Sequence, residues 1–260
     1  LGTGSADGWP NAFCRCRSCE AQRAAEIDRS TTCALVDDVL LLDAGPDLAA
    51  ASRRLAVPLD RVRHVLVTHA HVDHWAPQLL LHHAWVGGAP LDLVGPADLL
   101  EQARAWIAPD ADVTLVPVSA GDEVVVGDYR VRVLPAAHQV YVPGDSVLYD
   151  VSAPDGSRLL WACDTGPWED AWVEAVRDAR FDVVLLEETF GTTTDLGAGH
   201  LHLETFATLL ADLRRVGALH DATEVRAVHL SHHNPPEPEL VRRLAASGAR
   251  PGRDGEWLGT

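Results

Sequence analysis

The stretch of sequence that decides the fold is Thr68-His69-Ala70-His71-Val72-Asp73-His74. It follows an apolar strand predicted over residues 64–68 and precedes a helix predicted over residues 76–86. Alternate side chains of an extended segment point the same way, so His69 and His71 can face one point. Asp73 and His74 lie further along the turn and can reach a second point nearby. Because imidazole and carboxylate groups suit zinc, manganese and iron, this spacing predicts a dinuclear metal site.

Further side chains of the required types stand at or shortly after the ends of later apolar strands. They are His138, Asp164 and His229. An aspartate directly after a strand is well placed to bridge two cations. We predict one metal on His69, His71 and His138, a second metal on Asp73, His74 and His229, and Asp164 as the bridge between them.

The remaining pattern predicts two sets of strands covered by helices within one domain. Its elements include helices over residues 19–28 and 168–179 and a strand over residues 225–230. No element is predicted between residues 107 and 123. The pattern therefore belongs to the α/β class.

The motif of residues 69–74, taken with the three later ligands, resembles the signature of the metallo-β-lactamase superfamily. The resemblance covers essentially the whole chain. It implies a four-layer αββα sandwich, formed as a single domain over residues 1–260, with the metals at strand ends between the two sheets. Asp43-Ala44-Gly45 resembles the superfamily's Asp-x-Gly turn, whose aspartate supports the metal ligands from behind.

Three of the five cysteines fall within Cys14-x-Cys16-x2-Cys19, a spacing that favours metal ligands over disulfides in a cytosolic chain. This cluster and the opening Gly2-Thr3-Gly4…Gly8-Trp9-Pro10 narrow the resemblance to the PhnP-like phosphodiesterase branch, and PqqB-type proteins share the same opening. In that branch, three such cysteines and a histidine three residues after the last active-site histidine hold a structural zinc. The resemblance therefore implies a structural zinc loop at residues 14–19, with His232 as the fourth ligand.

A candidate general acid lies in Gly199-His200-Leu201-His202-Leu203-Glu204, just before a predicted helix. The segment resembles one in the same branch whose histidine acts as the general acid. The resemblance therefore points to His200, with Asp73 as a second catalytic residue, and His202 remains the alternative acid. In this mechanism a hydroxide that bridges the metals attacks the substrate, and the histidine protonates the departing alkoxide.

Composition limits the class of substrate. The 260 residues include 38 acidic and 21 basic side chains, a formal net charge of -17, which disfavours binding to nucleic acid. No apolar run approaches the roughly 20 residues that span a bilayer. We therefore predict a cytoplasmic protein with a small anionic substrate and neither a nucleic-acid nor a membrane partner. The sequence leaves the oligomeric state open, a homodimer included.

Together these features predict a dinuclear metal-dependent hydrolase. The first choice is a phosphodiesterase acting on a small phosphate diester, cyclic diesters included. It would use two catalytic divalent metals (zinc or manganese, with iron also compatible) and one structural zinc. Two alternatives stay open. One is a lactonase or thioesterase of the same fold, and the other is a PqqB-like biosynthetic protein whose metal site serves non-hydrolytic chemistry.

Overall fold

The first of two sheets is formed by the amino-terminal half of the chain. A computed structural model describes residues 1–259. The sheet contains β1 (Ala34–Val36), β2 (Leu40–Leu42), β3 (His64–Leu66), β4 (Leu91–Gly95) and β5 (Val113–Pro117), in that order. β1 is antiparallel to β2, and all other neighbours are parallel. Parallel strands buried on both faces have continuous apolar sequences, as the three leucines of β2 do.

The second sheet contains seven strands. They are β6 (Glu123–Val126), β7 (Tyr129–Pro135), β8 (Val147–Ser152), β9 (Arg158–Ala162), β10 (Phe181–Glu187), β11 (Leu219–Val228) and β12 (Arg250–Pro251). Their order is β12-β11-β10-β9-β8-β7-β6. β9 to β12 are parallel, whereas β6 to β9 alternate in direction. Since β7, β9, β10 and β11 all run the same way, the residues that follow them meet at one edge of the sheet.

Seven helices in the described part of the chain cover the two sheets. They are α1 (Arg17–Ala24), α2 (Leu48–Leu55), α3 (Leu79–Trp85), α4 (Ala97–Arg104), α5 (Asp170–Ala175), α6 (Leu203–Arg215) and α7 (Glu237–Ala245). Within residues 1–259, none of them is long and apolar enough to cross a membrane.

Three apolar layers separate helices from sheets and the sheets from each other. Along β10, Val183 and Leu185 pack in the layer between the two sheets, with Leu66 of β3 and Trp161 of β9. The alternate residues of β10 pack instead in an outer layer beneath α5, α6 and α7. The outer face of the first sheet packs beneath α2, α3 and α4. This helix–sheet–sheet–helix order confirms the predicted αββα sandwich, whereas a single domain over residues 1–260 stays a prediction.

Several predicted boundaries differ from the structure. α1 begins at Arg17, two residues before the predicted helix, because the Sγ of Cys16 accepts a hydrogen bond from the Cys19 N–H (3.4 Å) and caps it. α5 is shorter than the helix predicted over 168–179. The chain leaves helical geometry after it, since Asp178 and Arg180 both have positive φ, at 56° and 53°.

Two strand predictions were also incomplete. β11 begins at Leu219, six residues before the predicted start. The prediction missed these residues because the first half of the strand is largely exposed and polar in sequence. β5 was missed altogether. It is an edge strand without a fully buried residue, and it ends at Pro117, so its sequence resembles a loop.

The turn after β2, residues 43–45, fits tightly against the loop that carries the predicted metal ligands of residues 69–74. The backbone of Ala44 accepts a hydrogen bond from the Ala76 N–H (2.8 Å) and donates one to the His74 carbonyl (2.8 Å). A Cβ on Gly45 would press into the carbonyl oxygen of Asp73 and lie 2.7 Å from Thr31 Oγ1. Only glycine allows this approach.

We therefore expect Gly45→Ala to lower the free energy of unfolding by about 1–3 kcal/mol, as overpacked sites do. Because the displaced atom belongs to Asp73, the variant should also bind less metal after purification. Chemical denaturation and elemental analysis would measure both effects. Gly259→Ala is the matched control, because a Cβ there meets nothing within 4 Å. Wild-type stability and metal content in Gly45→Ala would contradict this account.

Candidate metal centre

The centre lies where the carboxyl ends of strands from both sheets meet. Three of its residues lie one or two positions after the end of a strand and have left-handed backbones: Asp43 (φ 58°), Asp164 (φ 58°) and His229 (φ 56°). Non-glycine residues rarely adopt this conformation and keep it only where the surroundings hold them there, a situation typical of functional sites. The turn at each strand end places these side chains at the junction of the two sheets.

The first cluster joins His69, His71, His138 and Asp164, as the sequence predicts. The Nδ1 of His71 lies 2.9 Å from His69 Nε2 and 3.1 Å from His138 Nε2. Asp164 Oδ2 lies 3.4 Å from His69 Nε2 and 3.6 Å from His138 Nε2. Ligands at the usual distances from a tetrahedral zinc are about 3.4 Å apart. The four atoms therefore have the spacing of a metal site.

The second cluster joins Asp73, His74, Asp164 and His229. Asp73 Oδ2 lies 3.0 Å from His74 Nε2 and 3.1 Å from His229 Nε2. Asp164 turns its other oxygen, Oδ1, to this cluster, 3.3 Å from His74 Nε2 and 3.1 Å from His229 Nε2. Asp164 thus gives one oxygen to each cluster, which is the arrangement expected of a bridging carboxylate.

Outer hydrogen bonds fix which nitrogen is free in two of the imidazoles, His138 and His74. His138 Nδ1 lies 3.0 Å from the carbonyl oxygen of Gly199. A carbonyl can only accept, so Nδ1 carries the proton and Nε2 offers its lone pair to the cluster. In the same way, Asp43 Oδ2 accepts the Nδ1 proton of His74 at 2.9 Å. The other oxygen, Oδ1, accepts from the Thr68 N–H at 2.8 Å. The predicted support by Asp43 is therefore present in the geometry.

The electrostatics of the two clusters suit cations. Burial, together with the neighbouring imidazoles, lowers the pKa of His69 to about 4, so its ring stays neutral. Burial opposes charge on His74 as well, but the carboxylates of Asp164 and Asp73 outweigh it and raise the pKa of His74 well above its usual range. The second cluster is thus a place that attracts positive charge. Lone-pair nitrogens, ionised carboxylates and their spacing together fit divalent metal ions.

Two residues of the site were not predicted, Glu187 and Thr189. Glu187 ends β10 and is fully buried. Its Oε1 lies 3.0 Å from His200 Nδ1, and its Oε2 accepts from the backbone N–H of Thr189 at 3.1 Å. Thr189 Oγ1 in turn lies 2.9 Å from His229 Nδ1. The available signal was the one used for Asp164, an acidic residue at the end of an apolar strand.

The two candidate acids occupy different places. The ring of His200 lies beside the metal clusters, with its centroid 4.9 Å from that of His138 and 5.4 Å from that of His229. Burial disfavours its charged form, but the Glu187 carboxylate outweighs burial and raises the pKa of His200 to about 9. His202 instead caps α6, where its backbone N–H donates to Thr205 Oγ1 (3.0 Å). The geometry favours His200.

A third cluster brings together Cys14, Cys16, Cys19 and His232, whose ligand atoms all lie within 4.8 Å of one another. Cys16 Sγ lies 4.0 Å from His232 Nδ1. Burial opposes ionisation of Cys16, but the Cys19 N–H and the His232 ring overcome it and lower the pKa of the thiol to about 6. A thiolate is the form that binds zinc. The cluster has the composition of a closed structural site.

We expect Cys16→Ser to remove one zinc per chain and to lower the free energy of unfolding, because a structural metal contributes directly to folding. Elemental analysis and thermal unfolding would measure the two effects. Arg15→Ser is the matched control, since Arg15 lies in the same loop and its side chain is 87% exposed. A Cys16→Ser variant with unchanged zinc content and unchanged unfolding would exclude the structural site.

Comparison with known proteins agrees with this geometry. The model of the "Beta-lactamase superfamily domain" family matches residues 39–236. Zn²⁺-bound PqqB from Methylobacterium extorquens is 19% identical, with a TM-score of 0.77 over 100% of this chain and 98% of that chain. A diphosphatase from the PhnP family is 20% identical, with the same TM-score over 100% and 95%. Human tRNase Z, short form, is 16% identical, with a TM-score of 0.68 over 98% and 95%.

No curated protein matches the sequence significantly. At the identities above, the structural likeness shows the fold alone. The family model, however, spans more than half of the chain, and its matched range contains both clusters of histidines and aspartates described here. The chain therefore belongs to the metallo-β-lactamase superfamily.

Proposed function

We propose that the chain is a dinuclear metal-dependent phosphodiesterase that hydrolyses a small phosphate diester, cyclic diesters included. The observation that carries this proposal is the pair of four-residue clusters that share Asp164, with the His200–Glu187 pair beside them. The shared carboxylate supports two catalytic metals rather than one. The adjacent histidine supports a reaction in which a leaving group must be protonated.

The two clusters would hold zinc or manganese, iron also being compatible with their ligands, and the cysteine cluster would hold a structural zinc. When bound, paired divalent ions activate water and neutralise the charge that develops on phosphoryl oxygens. The chain's part is to hold seven ligands in place, and Asp43, Gly199 and Thr189 contact the outer nitrogens of three of them, His74, His138 and His229. Asp73 and Asp164 supply the negative charge that retains the cations.

His200 has the position and charge of a general acid. Its Nδ1 lies 3.0 Å from Glu187 Oε1, and that carboxylate outweighs burial and raises the pKa of the ring to about 9, which favours the protonated form at neutral pH. Its Nε2 proton is then the one available to the departing alkoxide. Such a transfer is typically worth about 10²–10⁴-fold in rate. Glu187 keeps the ring oriented and charged.

The overall charge supports a small substrate. At -17, the chain would repel a polynucleotide, whereas metal ions in the centre can attract a small anion. We therefore propose a cytoplasmic enzyme with neither a nucleic-acid nor a membrane partner, although tRNase Z has the same fold. The oligomeric state stays open, a homodimer included.

A PqqB-like biosynthetic role is the second candidate. The likeness to Zn²⁺-bound PqqB equals the likeness to the PhnP-family diphosphatase in TM-score and in the share of this chain that is covered. The fold therefore does not separate the two, and the position of His200 beside the ligands supports hydrolysis. Lactone and thioester hydrolysis use the same metals and stay alternatives for the substrate class.

For the metal-loaded protein we expect turnover of bis(p-nitrophenyl) phosphate and about three metals per chain. His71→Ala should lower kcat/KM by at least about 100-fold, more than is typical when only an outer partner of a ligand is lost. His82→Ala makes the same chemical change at an exposed position outside the clusters and should leave kcat/KM unchanged.

Circular dichroism would verify that His71→Ala is folded. Full diesterase turnover in that variant would refute the assignment of the site. Three metals per chain without diester turnover would refute the phosphodiesterase and direct the search to lactones, thioesters or a PqqB-like role.

The assignment of His200 as the general acid can be tested separately from the metal ligands, by comparing substrates with different leaving groups. An alkyl alkoxide needs a proton to depart, whereas p-nitrophenolate needs little help. His200→Asn and Glu187→Gln should therefore slow diesters with alkyl leaving groups by about 10²–10⁴-fold and those with p-nitrophenyl far less. His202→Asn is the control and should change neither. If His202→Asn shows the leaving-group dependence instead, the roles of the two histidines are reversed.

A further inference from the structure

A cavity of about 580 Å³ adjoins the metal centre on the side of the β7–β8 loop. His138 and Gly199 both line it. His138 belongs to the first metal cluster, and Gly199 accepts its Nδ1 proton and directly precedes His200. The cavity therefore lies beside a candidate metal ligand and beside the residue that precedes the candidate acid in the chain. Its volume falls within the roughly 300–1,000 Å³ usual for small-molecule pockets.

Among the described residues that line this cavity there is no aspartate, glutamate, lysine or arginine, although the chain as a whole is strongly acidic. Alanines, prolines and glycines form most of the wall, and Trp172 of α5 contributes an indole. Such a surface suits an uncharged apolar group, with aromatic contact available from Trp172.

We propose that this cavity is the subsite for one uncharged, ring-sized, largely apolar substituent of the phosphate diester. The proposal rests on the proposed function, because it places the phosphoryl group at the metal centre beside His138. It adds a substrate class: a monoanionic diester that carries an aromatic or similar apolar group. Diesters with only small alkyl groups would leave the cavity unfilled.

The test compares two stable phosphoryl anions that differ only in their substituents, diphenylphosphinate and dimethylphosphinate. Neither has an ester bond to hydrolyse, so isothermal titration calorimetry on the metal-loaded protein measures binding without turnover. We expect the wild type to bind diphenylphosphinate at least about 10-fold more tightly. Ala120→Trp and Ala198→Leu place bulk into the cavity from two walls, at exposed positions that can accept it. Each should reduce the ratio to about 3-fold or less and leave dimethylphosphinate within about 2-fold of the wild type.

Ala105→Trp is the matched control, because Ala105 is exposed and does not line the cavity; it should keep the wild-type ratio. Equal affinity of the wild type for the two anions, or an unchanged ratio in both filled variants, would overturn the subsite while leaving the phosphodiesterase intact. Failure of both anions to bind, together with absent turnover of bis(p-nitrophenyl) phosphate, would overturn the proposed function and the subsite with it.

Discussion

The two oxygens of Asp164, one directed to each metal cluster, are the constraint on which the rest of the site depends. Carboxylates and imidazoles are costly to bury unless charge and hydrogen bonds compensate them. Here they are buried together at the junction of two sheets, so that each meets groups of complementary charge and a cation can complete the balance. The left-handed backbone of Asp164 places its carboxylate at that junction, two residues after the end of β9.

Asp43 connects this centre to both sheets. Its carboxylate accepts from His74 and Thr68, which follow β3 of the first sheet, and from the indole N–H of Trp161 (3.0 Å) in β9 of the second sheet. One fully buried side chain thus orients a metal ligand and joins the two halves of the sandwich. The metal centre and the packing of the sheets are therefore mechanically linked.

The ends of the chain are tied to the same core by a second buried charge. Arg29 is 4% exposed, bonds Thr3 Oγ1 (2.7 Å) and pairs with Glu237 Oε2 (2.9 Å) at the start of α7. The cysteine cluster with His232 makes a similar connection between the amino-terminal loop and the residues after β11. Through His232, the second of these connections reaches within three residues of His229, a member of the second ligand cluster.

The sequence by itself was enough to assign the αββα fold and the family, because the motif of residues 69–74 and the later ligands resemble the signature of the superfamily. Local chain geometry explains only why His69 and His71 face one point. It also singled out every residue that the structure brings into the two metal clusters. Only the tertiary structure decided that Glu187 and Thr189 stand behind His200 and His229, that His200 rather than His202 faces the centre, and that an uncharged cavity lies beside His138. These facts depend on which strands are neighbours in the sheet, and long-range pairing leaves no periodic trace in one sequence.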